Sequence, residues 1–250
     1  MVPPSLRRPD TVGALGYPGR ALGRPVLLTS DGERPLDAAD LVVPTRLDGR
    51  LRAAGGSPWE HRRLVVAVGS NASLATIRAK LRWHRTSPVL PLVPGILVGV
   101  SVGHSAHVSL GGYVAAAPYD RPGGAVRVAA GWFDDDQLRA LDGSEPNYRR
   151  ARLPTSRYPL SLLHLDPPPE FEVYRSVWGV LTVDDRVLPL RAQRSLHRVL
   201  ASDPWLARRV PLADSPSAVR ALRDRRLQVE IRRHWARSGR AGPDGLVVLG

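Results

Sequence analysis

Three short stretches carry the residue types most capable of chemistry in this 250-residue chain. The first is Gly69-Ser70-Asn71, which follows the apolar run Leu64-Val65-Val66-Ala67-Val68 and precedes a segment with helical spacing. A loop leaving a buried strand for a helix exposes backbone N–H groups, and the helix dipole adds partial positive charge there. Gly69, Ser70, Asn71 and Ala72 therefore form a candidate anion cradle suited to a carboxylate. Read alone, the same tripeptide is also an ordinary strand-to-helix turn. No Gly-Lys-Ser/Thr follows it and the chain has no GxGxxG, which speaks against nucleotide binding. The GxSxG elbow that would mark Ser70 as a hydrolase nucleophile is also absent.

The second stretch ends at Glu145, just past a helix expected from Asp134 to Asp142. Partial negative charge at a helix C-terminus, with any burial, favours a protonated carboxyl, the form a general acid needs. Without a partner feature, Glu145 reads equally well as a solvated loop residue. The third stretch is His104-Ser-Ala-His107. Two imidazoles three apart can share a metal on one helical turn, but the surrounding Gly- and Val-rich text predicts extended chain, where they face opposite sides. No metal site is expected there, and a polar contribution to a pocket is. Asp134, Asp135 and Asp136 are read as helix-capping residues instead of metal ligands. The absence of cysteine removes disulfides, thiolate nucleophiles and cysteine-bound metals, and fits a reducing compartment.

These groups need elements to position them. The run at 64–68 predicts a buried strand, and Leu74, Ile77 and Leu81 predict a helix with one buried stripe, Arg78, Lys80 and Arg82 pointing elsewhere. From Pro88 to Ala130 the prolines and glycines predict several short strands and loops. Asp134 and Gln137 sit at the two positions of a capping box, with Leu138 and Leu141 on one face and Gly143 at the end. A hairpin around Asp184-Asp185 is expected within 177–190, then a helix from Gln193 to Leu200. Ser215-Pro216 predicts the start of a last basic helix, whose end is ambiguous because Leu227 to Arg232 alternates like a strand.

Two segments together resemble the gamma-glutamylcyclotransferase family. Val66-Ala-Val-Gly-Ser-Asn71 is similar to the family's strand and Tyr-Gly-Ser-Asn/Leu loop. Trp132-Phe-Asp-Asp-Asp-Gln-Leu-Arg-Ala-Leu-Asp-Gly-Ser-Glu145-Pro-Asn-Tyr-Arg149 is similar to its leucine-aspartate-x-x-glutamate stretch followed by Tyr and Arg, and is the more specific of the two. The resemblance spans about Leu64 to Leu190. It implies an α+β fold, a small closed β-barrel with flanking helices, at residues 61–190. Residues 1–60 are then an irregular N-terminal extension packed on the core, and 191–250 a basic helical C-terminal appendage. It further implies that Gly69, Ser70 and Asn71 bind a γ-glutamyl moiety and that Glu145 is the acid/base. In such enzymes the substrate's α-amine closes on its γ-carbonyl, releasing 5-oxoproline and an amine, with no cofactor. Val68 stands where the family's loop begins with Tyr, so the substrate is left open. Tyr148 is a candidate for aromatic contact with it, and Arg149 or Arg150 for contact with a carboxylate.

Alternatives outside catalysis remain. The same fold could hold a carboxylate or acyl ligand without turnover. The net charge of +13 points to a polyanion instead, and residues 191–250 carry 13 arginines against 5 acids, +8 of that total. Yet the chain has 35 Arg and one Lys, Lys80, a skew that resembles genome-wide codon bias more than selection for phosphate contacts. The N-terminus lacks a signal-like apolar run, and the longest apolar stretch, Pro88 to Val100, falls short of the ~20 residues a spanning helix needs. No membrane partner is expected, and cytoplasm is the expected location.

Overall fold

The computed structural model describes residues 13–250. The N-terminal residues read above for a signal, Met1 to Arg8, lie outside that range, as does the start of the 1–60 extension. Among the described residues eleven strands and eight α-helices give a mixed α+β fold. The chain opens with β1 (Val26–Leu28) and β2 (Glu33–Pro35), then α1 (Ala38–Val42) and α2 (Pro44–Ala53). This segment is more regular than its Pro- and Gly-rich composition suggests. Asp37 forms a capping box with Asp40, and Pro44 occupies a first-turn position where no intrahelical N–H is needed. Leu27, Leu36, Leu41, Leu47 and Leu51 join the same apolar cluster as Leu64 and Val66.

The strand–loop–helix unit follows as β3 (Arg63–Ala67), a 3-10 turn (Ser70–Ala72) and α3 (Leu74–Trp83). Ile77 and Leu81 are buried and Leu74 partly so, as the stripe requires. Next come β4 (Leu90–Val108) and β5 (Val114–Phe133), one antiparallel hairpin with long arms where several short strands were expected. Pro91 and Pro94 remove two donors, but a proline φ lies within the extended range, so β4 runs through both. The register shifts between Val98 and Val100, where Gly99 takes φ +80°, a conformation that disfavours any side chain.

The remaining strands are β6 (Tyr148–Pro154), β7 (Leu160–Leu162), β8 (Glu170–Ser176), β9 (Val180–Val183), β10 (Arg186–Val187) and β11 (Ala241–Gly242). The main path of hydrogen-bonded neighbours runs β10-β9-β4-β5-β3-β8-β6, with β3 and β8 parallel. Its ends, β10 and β6, do not pair with each other. The closed barrel implied by the resemblance is therefore not formed: the sheet is open. The long hairpin is shared between two regions, its β1-, β3- and β7-paired part and its β9-paired part near Ser105.

α4 (Asp135–Ser144) carries the predicted capping box, Asp134 accepting the Gln137 amide and Gln137 Oε1 accepting the Asp134 amide. It packs Leu138 and Leu141 with Ile77 and Leu81, so α3 and α4 lie together. α5 (Gln193–Leu200), α6 (Pro204–Ala207), α7 (Ser215–Ala221) and α8 (Arg225–Arg237) follow. Asp214, one residue before the expected Ser215, caps α7, and the ambiguous 227–232 stretch is helical because Ile231 and Trp235 share a buried face. Leu196, Leu200, Ile231 and Trp235 pack on Val108 and Val114, at the tip of the long hairpin. Among the described residues no helix is long and apolar enough to cross a membrane.

Candidate functional site

A cleft of about 820 Å³ opens where β3 ends. The loop Gly69-Ser70-Asn71 lines it from one side and Ser144 to Tyr148, at the C-terminal end of α4, from another. These stretches are far apart in sequence, and α3–α4 packing joins them. Glu145 is the residue that ends α4, and its side chain is 15% exposed. It therefore lies in a hollow instead of on an open face.

Its carboxylate is not solitary. Oε1 accepts the Asn71 side-chain amide at 3.0 Å and an ion-paired hydrogen bond from Lys80 Nζ. Lys80 Nζ also donates to Asn71 Oδ1 at 2.7 Å, closing a three-residue ring of polar contacts. Lys80 lies on α3 beside the buried stripe, on the side that lines the cleft with Thr76 and Trp83. Lys80 is a site residue that the position of Glu145 at a helix end does not reveal.

Tyr17, from the N-terminal segment, is the other residue that sequence reasoning missed. It is buried in the cleft wall, stacks on Tyr113 with ring centroids 4.4 Å apart, and its hydroxyl accepts the Ala116 amide at 2.7 Å. Burial pushes its phenol up, opposed by backbone hydrogen bonds from Ala116 and Ser70, so it stays neutral. The Ser70 amide is thus engaged by the protein, whereas among the described residues the Gly69 and Asn71 amides have no acceptor. A Cβ at position 69 would lie 3.0 Å from the Tyr17 hydroxyl oxygen and 3.2 Å from the Ala116 Cβ, so a side chain there would have to push its neighbours back by a few tenths of an ångström. Tyr148 also lines the cleft, but its hydroxyl donates to the Ala116 carbonyl at 2.8 Å. Burial, first among several causes, raises its phenol well above the ordinary value. The Tyr148 proton is occupied within the chain, and the ring is what it offers a ligand.

The two histidines separate as an extended chain requires. His104 is fully buried, its Nδ1 3.3 Å from the Val114 carbonyl and its Nε2 accepting the Arg191 amide at 3.1 Å. His107 lines the cleft, with Nδ1 2.5 Å from Ser105 Oγ. Burial pulls both down to about 4. Among the described residues no three His, Asp or Glu side chains are grouped to hold a metal ion. Asp134 serves as the helix cap. Arg150 meets carboxylates of the chain itself, Asp142 and Glu172, away from the cleft. No contact of the Arg149 side chain places it in the cleft. At the far end Arg223 and Arg225, flanking the start of α8, line the opening.

The loop offers amide hydrogens, Glu145 a proton acceptor, and Lys80, Arg223 and Arg225 positive charge. Together they can receive a small anionic molecule and move a proton on it. No protein-family model and no curated protein matches the chain. Similar solved structures include a gamma-glutamyl cyclotransferase, 17% identical, covering 58% of this chain and 81% of that one at a TM-score of 0.38. An Arabidopsis thaliana protein solved in solution is 18% identical over 59% of this chain and 79% of its own, TM-score 0.35. A second from the same plant is 16% identical over 60% and 89%, TM-score 0.37. The chain is thus similar, over more than half its length, to structures that include a gamma-glutamyl cyclotransferase, the family its two segments resemble.

Proposed function

We propose that the protein is a gamma-glutamylcyclotransferase-like enzyme that cyclises a γ-glutamyl amine or related amide to 5-oxoproline. The observation that carries this reading is the meeting of the Gly69-Ser70-Asn71 loop and Glu145 in one cleft. The Gly69 and Asn71 amides hold the glutamyl end of the substrate. Enclosure bends the chain so that its α-amine faces its γ-carbonyl, converting an improbable encounter into a unimolecular step. Glu145 takes the proton from the α-ammonium. The Tyr148 ring and the Tyr17–Tyr113 stack give apolar walls. Arg223 and Arg225 favour a substrate with a negative charge, so residues 191–250 complete the cleft instead of docking nucleic acid. The reaction asks for no cofactor, and the cysteine-free chain works in the cytoplasm.

Incubating the purified protein with a panel of γ-glutamyl amides and measuring 5-oxoproline tests the reading. Turnover of at least one member is expected, and no product from any member overturns it. A second reading, binding without turnover, is favoured by the Tyr17 hydroxyl at the Ser70 amide, which removes one donor from the cradle. Calorimetric binding of 5-oxoproline or glutarate, together with no product from the panel, would establish it.

A further inference from the structure

The one lysine of the chain falls in the cleft. Of 36 basic Lys and Arg residues, 35 are arginine. The chain uses guanidinium for its buried cation, Arg62, for its paired cations Arg150 and Arg175, and for the cations stacked on Trp178 and Trp205. The single ammonium of the chain is the cation that touches Glu145 and Asn71. Charge alone does not explain this, since Arg supplies the same charge and pairs better with carboxylates. What Arg cannot do is release its proton near neutral pH, whereas an ammonium can.

We propose that Lys80 is the proton donor to the leaving nitrogen, working beside Glu145; the step rests on the cyclotransferase reading. The α-ammonium of the bound substrate gives one proton to the Glu145 carboxylate. The freed α-nitrogen forms a bond to the γ-carbonyl carbon, whose π electrons move onto oxygen. As that oxygen restores the carbonyl, the bond to the leaving nitrogen breaks with its electrons on nitrogen, and a Lys80 N–H transfers its proton there. The neutral Lys80 amine accepts the surplus proton of the ring nitrogen. The Glu145 proton passes to the released amine, so both side chains return to their starting states.

Geometry supports this division. An ammonium has three N–H groups, and Lys80 directs two of them to Glu145 and Asn71, leaving one for a ligand. The leaving group is itself an amine, so proton transfer to it from another amine's ammonium is close to balanced, the condition for efficient general-acid catalysis. Asn71 accepts from Lys80 and donates to Glu145, which fixes both groups and makes it a positioning residue.

The test compares 5-oxoproline formation by the full-length wild type, Lys80→Arg and Lys80→Ala, each checked by circular dichroism. Lys80→Met, which keeps most of the stem, replaces Lys80→Ala if that variant does not fold. Lys80→Arg is expected to lose about a hundredfold in kcat despite its retained charge. Methylammonium is expected to restore activity to the shortened variant where guanidinium at equal concentration does not. Near-wild-type turnover by Lys80→Arg, or equal rescue by the two cations, overturns the donor role and leaves the cyclotransferase reading standing. A wild type that makes no 5-oxoproline overturns that reading and this step with it.

Discussion

Helix α4 brings a carboxylate against a cation at each of its ends, and the two ends are built to opposite purposes. At the N-terminal end Asp134 accepts the Gln137 amide and the Ser57 hydroxyl, with Arg62 beside it. The Arg62 side chain is wholly buried and donates to the Val89 and Trp132 carbonyls, the Ser57 carbonyl and Gln137 Oε1. The chain answers Arg62 Nε and Nη1, while Nη2 faces the Asp134 carboxylate at 3.8 Å without a hydrogen bond. At the C-terminal end Glu145 receives both its donors on Oε1, and among the described residues Oε2 accepts none. One network joins β3, β4, β5 and α4; the other keeps capacity for something the chain does not contain. A polar cluster with answered groups rigidifies, and one with an unanswered oxygen in a cleft is a candidate for chemistry.

The largest expected effect is at the open end. Glu145→Gln should lower 5-oxoproline formation by about 10²–10⁴-fold while melting near the parent temperature, because it removes a proton acceptor and keeps the shape. Next, at the closed end, Arg62→Ala should cost about 3 kcal/mol of stability, read from urea unfolding, by removing the donor to the Ser57, Val89 and Trp132 carbonyls and the cation beside the Asp134 carboxylate. Turnover per folded molecule should be unchanged. A reversal of these two outcomes would mean that the roles of the ends have been misassigned.

Acid should separate the ends further. His104 and His107 both lie in β4, only His107 lining the cleft, and the Arg62 cluster holds no histidine. Both imidazoles are held at about 4 by burial, against an ordinary 6.5 in the unfolded chain. Between those values the unfolded state binds more protons, so stability is fully present above about pH 6.5 and falls as pH drops towards 4. The loss is on the order of 1–3 kcal/mol for each histidine at the acid limit. Urea unfolding at stepped pH should show this slope, and His107→Gln should flatten it. The smallest effect is at Tyr17. Tyr17→Phe removes a hydroxyl that accepts the Ala116 amide, and ligand affinity by calorimetry should weaken about threefold.

The capping box of the closed end was legible in sequence because its logic is local, whereas Arg62, with partners up to 75 residues away, was not. Asp134 and Gln137 stand three residues apart, and a capping box requires nothing beyond that spacing. The helix from Gln193 to Leu200 and the turn at Asp184-Asp185, both residues at positive φ, were readable for the same reason. The open end was legible only in part. Gly69 to Asn71 and Glu145 emerged from two family-like segments, but Lys80 and Tyr17 did not, since their partners lie 65 and 99 residues away. Lys80 did leave a trace, as the single exception to an otherwise uniform use of arginine. The length of β4 and β5 was hidden by prolines that read as breaks, and the openness of the sheet is a property of pairings that no segment encodes alone.

A crystal structure of the protein with 5-oxoproline bound would test the central claim most directly. The lactam should lie in the cleft, with an oxygen accepting the Gly69 or Asn71 amide and the ring within hydrogen-bond reach of Glu145. A product molecule seated elsewhere, or a cleft that stays empty at saturating 5-oxoproline, would contradict it.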